Sequence, residues 1–418
     1  MNAVNEELME QMLMPENMSE AWRSVKANQG AAGIDGIGIG EFAAHITPHW
    51  ETIRRKVLEG RYKPAPVRRV YIPKGDGRQR PLGIPSVLDR LLQQAMLQVL
   101  QPHFEPLFSE HSYGFRPGRS AHDAVRKAQE YIAAGKSWVV DIDLKSFFDE
   151  VNHDILMSQA AQVIQDKRML KLIGKFLRAG VYGNGEVTRQ AKGVPQGGPL
   201  SPLLSNIYLN ALDKELESRG LSFCRYADDC NIYVGSEKAA NRVFQSVTAW
   251  IEKHLKVPVN LEKSAAGRPW DRQFLGYQPT EEGELKPSPK AMKKLKEKVR
   301  NFFRGRYSRS SKDLRDEWLR YIRGWCNYFA LANEPYWRMN VSSWIRRHIR
   351  KCFWLRWHNA KGRLRKLIKL GARTWQLKKC PLHGSSWPMS KHPVMHTVLN
   401  NKTLKKYGFL TPSDFAVH

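Results

Sequence analysis

The chain is short of cysteine, of acid and of long apolar runs. Its five cysteines (Cys224, Cys230, Cys326, Cys352, Cys380) are odd in number and form no CxxC pair, a usage that fits free thiols in a reducing compartment. At 418 residues the chain is too long for a disulfide-stapled miniprotein. No stretch approaches the ~20 apolar residues of a spanning helix. The opening Met1-Asn2-Ala3-Val4-Asn5-Glu6-Glu7 is acidic and lacks a signal-peptide core. A cytoplasmic protein with no membrane partner is expected. There is no internal repeat and no long low-complexity linker, while 42% hydrophobic residues is close to the globular norm, so the chain should fold around real cores.

The deficit of acid carries the first functional information. Lys and Arg number 68 against 40 Asp and Glu, a net charge of +28, which points to a polyanionic partner. Residues 281–418 hold 32 of the bases and 9 of the acids, whereas residues 1–280 are nearly balanced. A basic module thus follows a balanced body, as expected where one region meets nucleic acid. The same last third holds eight of the thirteen tryptophans, among them Trp318, Trp325, Trp337, Trp344, Trp354 and Trp357, rings that base stacking would use.

Residues 1 to about 60 read as mostly helical, broken by Gly30-Ala-Ala-Gly33-Ile-Asp-Gly36. Strand patterns at 67–73 and 80–84 flank Lys74-Gly75-Asp76-Gly77-Arg78, a hairpin-turn composition. Further on, Trp138–Leu144 is a strand ending in acids, and Phe223–Val234 reads as two strand arms around an acidic turn, with helical stretches at 154–178 and 238–255 between and after them. Interleaved strands and helices with hairpins predict an α+β sheet carrying helices on one face. From about 286 the pattern turns helical, with apolar residues embedded in Lys and Arg.

Asp141, Asp143, Asp228 and Asp229 lie within or beside apolar strand patterns, where an uncompensated acid is costly. Asp141 and Asp143 share a strand face. If that strand lies beside the 226–229 turn, Asp143 and Asp228 converge within reach of a shared divalent ion, and oxygen-only ligands favour Mg²⁺. A pair of such ions suits nucleotidyl transfer, activating a 3′ hydroxyl and neutralising charge at the α-phosphate. Turn chemistry alone is the competing reading of an Asp-Asp pair.

Tyr226-Ala227-Asp228-Asp229 between apolar arms resembles the Y-x-D-D core of reverse transcriptases. Its companions stand in the family's order: Arg80–Arg90, Gly114–Arg119, Asp141–Asp149, Gly193–Pro202, Leu261–Ser264 and Phe274–Gly276. The pattern is most similar to bacterial group II intron-encoded reverse transcriptases with maturase activity; Asn28–Gly33 resembles their N-terminal extension and Arg323–Phe329 their maturase region.

The resemblance implies a right-hand polymerase with fingers and palm, then a helical thumb/maturase region. The expected domains are 1–60 (N-terminal extension), 61–280 (fingers and palm), 281–375 (thumb/maturase) and 376–418 (basic nucleic-acid-binding segment). Asp143, Asp228 and Asp229 become the catalytic and metal-holding carboxylates for two Mg²⁺, with Mn²⁺ a possible substitute. Asp143 has Phe148 five positions on, the family's spacing, whereas Asp141 has Ser146 there and takes a structural role.

Phe148 is the expected steric gate against a 2′ hydroxyl, and Phe147 the core residue. Arg68 and Arg80 match positions holding the triphosphate, Gln196 one contacting the nucleotide, and Lys263 a proton donor to pyrophosphate. Arg116 and Arg119 are expected to position template or nucleotide phosphates, with structural ion pairing as the alternative.

The implied partners are intron RNA, an RNA template with a DNA or RNA primer, target DNA and deoxynucleoside triphosphates, in a bacterial cytoplasm. The implied activity is RNA-directed DNA synthesis with a maturase role in splicing and support of intron mobility. A non-enzymatic RNA chaperone and a free-standing host reverse transcriptase in repair or defence are the alternatives. In the tail, Trp325, Tyr328 and Phe329 are expected in the thumb core. Cys380, His383, His392 and His396 could furnish four zinc ligands, although their spacing matches no usual finger. The paired-cysteine endonuclease carried by some relatives has no counterpart in this sequence, so priming from ends made elsewhere is expected.

Overall fold

The computed structural model describes residues 7–73, 79–304 and 309–415; the turn expected at Lys74–Arg78 lies outside them. The chain divides into two compact units, Met1–Arg268 and Pro269–His418. The division falls ahead of the boundary expected at 280 because the short antiparallel pair 277–279 and 285–287 packs with the C-terminal helices: Tyr277 stacks near Phe329, with ring centroids 5.0 Å apart.

In the first unit, strands β1 (Val67–Pro73), β2 (Gln79–Ile84), β3 (Trp138–Asp143), β4 (Val181–Gly183), β5 (Glu186–Thr188), β6 (Ser222–Tyr226), β7 (Asp229–Val234) and β8 (Ala265–Gly267) form two sheets, in the orders β2-β1-β4-β5 and β6-β7-β3-β8. The second is antiparallel throughout. Its strands alternate as a half-buried sheet should: Val140 and Ile142 enter the core while Asp141 and Asp143 stay on the other face. Against the buried face pack the helices Val87–Phe104 and Ser201–Ser218, whose Leu92, Met96, Leu100, Tyr208, Leu209 and Leu212 join β3 and β7 in one core. Ser86 fixes the start of the first helix, accepting the Asp89 amide at 3.0 Å. The helical stretch expected at 154–178 is two helices, His153–Ala161 and Lys167–Leu177, because Asp166 caps the second.

The second unit is mainly helical, with Pro289–Phe302, Ser311–Tyr328, Tyr336–Arg356 and Ala360–Lys369 as its longer helices. Its tryptophans correct the stacking expectation. Trp318 and Trp354 are fully buried, and Trp337 and Trp357 nearly so. Their indoles join Phe303, Phe329, Ile345 and Phe409 in the unit's core, while Trp375 and Trp387 stay exposed. Of the maturase-like triplet, Phe329 is buried and Trp325 packs on it at 4.5 Å, while Tyr328 is exposed and donates its hydroxyl to the Leu275 carbonyl. No helix among the described residues is long and apolar enough to cross a membrane.

Candidate active site

The antiparallel register of β3 and β7 sets Asp143 opposite Asp229, and that of β6 and β7 sets Tyr226 opposite Asp229, so Asp228 sits in the turn between them. A turn this tight needs a left-handed residue, and Ala227 supplies it at φ 57°. Asp143 and Asp229 thus lie on the adjacent strands β3 and β7, and Asp228 in the β6–β7 turn.

The turn is held from beneath. Arg225 is fully buried and its guanidinium donates to both Asp213 oxygens at 2.6 Å, to Asn206 Oδ1 at 3.1 Å, to Ser112 Oγ at 2.7 Å and to the Ala227 carbonyl at 2.9 Å. A guanidinium taken out of water this completely is costly unless its donors are engaged, and here they are. Beside it, the backbone of 226–227 rests on Gly114: a Cβ there would stand 2.3 Å from the Ala227 nitrogen. The glycine of the Gly114–Arg119 motif is therefore the platform of the acidic turn.

Asp143 is engaged on the other side. Asn260 donates to its Oδ1 at 3.1 Å, Lys263 Nζ lies 3.2 Å from Oδ2, and the Asp143 amide donates to Ser264 Oγ at 2.8 Å. Burial by the packed turn raises Asp228, with Asp143 adding repulsion. The protein mass around Asp229, then the charges of Asp228, Asp141 and Asp143, push it to about 7 against a relieving Lys263. Asp229 nevertheless keeps a solvent-exposed face, so like-charge crowding weighs more than its burial. No group of three or more His, Cys, Asp or Glu side chains among the described residues forms a ready-made metal cage. What the three aspartates offer is an all-oxygen donor set whose negative charge Lys263 only partly offsets, which fits a hard divalent cation.

A cavity of about 690 Å³ is lined by Arg80, Leu82, Phe115, Phe148 and Gln196 among others; none of the three aspartates lines it, and the charge of Arg80 acts on Asp228. After β3 the chain turns through Ser146 at φ 50°, which buries Phe147 and leaves Phe148 half-buried at the cavity wall. Arg80 donates to Gln196 Oε1 at 2.8 Å, and the Gly83 amide to the Gln196 carbonyl at 2.8 Å. Gly197, at φ 121°, lets that loop lie against β2, since a Cβ there would be 2.5 Å from the Gly83 carbonyl. In the β1–β2 register Arg68 shares a sheet face with Arg80. Its buried Nε has no hydrogen-bond partner, and Arg68 does not line the cavity.

Arg116 is a correction. Its side chain is only 3% exposed, paired with Glu105 at 2.7 Å and donating to the Ser109 and Ser112 carbonyls, so no fork is left for a phosphate. It braces the segment next to Ser112, which Arg225 holds. Arg119 is half-exposed, over the Tyr113 ring and donating to the Glu110 carbonyl. Asp141 sits opposite Asn231 in the β3–β7 register, and with the Asn231 side-chain amide turned over its NH2 donates to Asp141 Oδ1 at 3.2 Å. His392 accepts the Val394 amide and His396 lies 3.5 Å from Arg350; Cys380 and the three histidines do not come together as a metal group. Sequence reasoning missed Asn260, Asn206, Asp213 and Arg225. Asn206 and Asp213, polar residues within the apolar run Leu203–Leu216, were the available signal.

A hairpin tipped by Asp228 and Asp229 on an antiparallel sheet, with Arg80 near enough for its charge to act on Asp228, has the design of a right-hand polymerase palm. The chain belongs to the reverse transcriptases of the group II intron type. Residues 72–279 match "Reverse transcriptase (RNA-dependent DNA polymerase)" and residues 292–371 match "Group II intron, maturase-specific domain". It is 36% identical to Protein YkfC of Escherichia coli over 62% of this chain and 78% of that one. To the group II intron-encoded protein LtrA of Lactococcus lactis it is 38% identical over 51% of this chain and 36% of that one, so it spans about a third of LtrA. Among solved structures, a chain of the "Partial Cas6-RT-Cas1--Cas2 complex" is 25% identical at a TM-score of 0.39, covering 59% of this chain and 42% of that one.

Proposed function

We propose that this protein copies RNA into DNA from deoxynucleoside triphosphates on a DNA or RNA primer, and that it binds a group II intron RNA, assisting its splicing and its insertion into target DNA. The carrying observation is the register that sets Asp143 opposite Asp229 with Asp228 in the adjoining turn. These three would hold two Mg²⁺ ions, with Mn²⁺ a substitute; when bound, the ions lower the pKa of the attacking 3′ hydroxyl and neutralise charge at the α-phosphate.

The chain's own residues do the rest. Asp228 and Asp229 would act as ligands in their ionised form, and the charge of Asp143 acts against ionisation of both. Arg80, at the cavity rim, and Arg68, on the same sheet face, grip the triphosphate through their guanidinium forks. Gln196 orients Arg80. Phe148 excludes a 2′ hydroxyl by bulk. Lys263, now 3.2 Å from Asp143, is the proton donor to the departing pyrophosphate. Arg119 and the basic second unit follow nucleic-acid phosphates.

The test is extension of a primer on an RNA template with Mg²⁺ and deoxynucleotides. Asp228→Ala should abolish extension while leaving RNA binding intact; extension at the parent's rate would refute the metal assignment.

A further inference from the structure

The second unit contains a pocket that the copying reaction does not use. About 480 Å³ in volume, it falls in the range of roughly 300–1,000 Å³ typical of small-ligand sites. Its apolar surface includes Phe353, Trp357, Leu404 and Phe409, with Tyr407 beside them and 49% exposed. Lys312, Lys366 and Lys369 stand around it, exposed and with no ion-pair partner among the described residues. Arg315 and Arg356 complete the rim, Arg315 paired with Asp316 at 2.7 Å and Arg356 donating to the Arg309 carbonyl at 2.7 Å. The pocket joins residues within the maturase-specific match, 292–371, to Leu399–Phe409 beyond it.

An exposed tyrosine beside three lysines that have no ion-pair partner among the described residues suits a flat aromatic ligand attached to phosphates. We infer that this pocket receives a single unpaired base extruded from structured RNA, stacked against Tyr407, while Lys312, Lys366 and Lys369 take the flanking phosphates. The charge argument selects this occupant: Asp316, beside the rim, is already paired with Arg315, so the three lysines meet a phosphate chain better than a protein segment of mixed charge. The inference rests on reading the second unit as RNA-binding and gives that unit a preference for bulged over fully paired RNA.

The experiment uses the full chain and two RNA hairpins of the same stem, one fully paired and one with a single bulged 2-aminopurine, at fixed salt. The bulged hairpin should bind roughly tenfold tighter, with its fluorescence quenched by stacking. Tyr407→Ala should remove the preference and the quenching while leaving the paired hairpin's affinity unchanged. Replacing Lys312, Lys366 and Lys369 by alanine should weaken both hairpins and reduce the salt slope by about 3. Equal affinity for the two hairpins overturns the proposal, as does a preference that survives both Tyr407→Ala and the pocket-filling Leu370→Trp. So does displacement of the bulged hairpin's quenched state by an acidic leucine-rich peptide that binds the parent and not Tyr407→Ala. Primer extension, run in parallel, separates the two readings: extension without bulge preference sinks the pocket alone, and bulge preference without extension sinks the polymerase reading alone.

Discussion

The buried pair beneath the acidic turn allows stability and catalysis to be separated by mutation. Asp213→Leu leaves the Arg225 guanidinium buried without its carboxylate, both side chains being at most 1% exposed, a situation that costs about 3–5 kcal/mol. For a unit the size of Met1–Arg268 this lowers the melting temperature by on the order of 10 °C. Arg225→Met should cost a similar amount by stranding Asp213. The double variant replaces both ions with apolar side chains, and such replacements are often neutral or stabilising by about 1–4 kcal/mol. Its melting temperature should rise above that of either single variant but stop short of the parent's, because the Ala227 carbonyl, Asn206 and Ser112 are left buried without the guanidinium that served them. Its polymerase activity should not recover with it, since the turn has lost the donor to Ala227. Each ~1.4 kcal/mol lost in positioning the turn lowers the rate tenfold, so a fall of at least tenfold in primer extension is expected even at a temperature where the double variant stays folded. The measurements are thermal denaturation and single-nucleotide extension on all four proteins. A double variant that copies RNA at the parent's rate refutes the claim that the guanidinium aims the turn.

Asp229, with a folded pKa of about 7 against an ordinary 3.8, binds more protons folded than unfolded between those values, so metal-free stability should fall as pH rises through that window. Screening at its exposed face limits the effect to about 1–2 kcal/mol; Asp229→Asn should abolish this slope and melt higher than the parent at pH 8 without Mg²⁺, and an unchanged slope would refute the crowding. Added Mg²⁺ should stabilise the parent more at pH 8 than at pH 5, which a fluorescence melt at both values would show. Phe148→Val should raise ribonucleotide incorporation by at least tenfold relative to deoxynucleotide, measured as the ratio of kcat/KM values; an unaltered ratio would leave the ring a wall and nothing more. Affinity for structured RNA should fall steeply with salt, losing roughly 10³-fold or more between 50 and 200 mM if six or more phosphates are neutralised, and a flat filter-binding profile would contradict that role for the basic unit.

Much of the palm was legible because its chemistry sits in short contiguous patterns. A strand ending in Asp141-Ile-Asp143 and a hairpin tipped by Asp228-Asp229 announce their own alternation and turn, and the aromatic five positions after Asp143 picks out Phe148. The supporting contacts were not legible for a physical reason: they are made between elements far apart in sequence. Arg116 and Arg225 are both arginines beside apolar residues, and nothing local says that they are buried with Glu105 and Asp213 as partners. The tryptophans of the second unit misled for the opposite reason. Their number beside so much positive charge reads as a surface for bases, whereas the unit buries Trp318, Trp337, Trp354 and Trp357 in its core.

Asn206 and Asp213 both touch Arg225 from one helix, seven residues and so two turns apart. That spacing works as a ruler. Adding or deleting one residue between them would swing Asp213 by about 100° around the helix axis, taking its carboxylate off the guanidinium while Asn206 stayed in place. Insertions of that kind should be absent from working variants of this helix, even at positions whose side chains never approach a nucleotide.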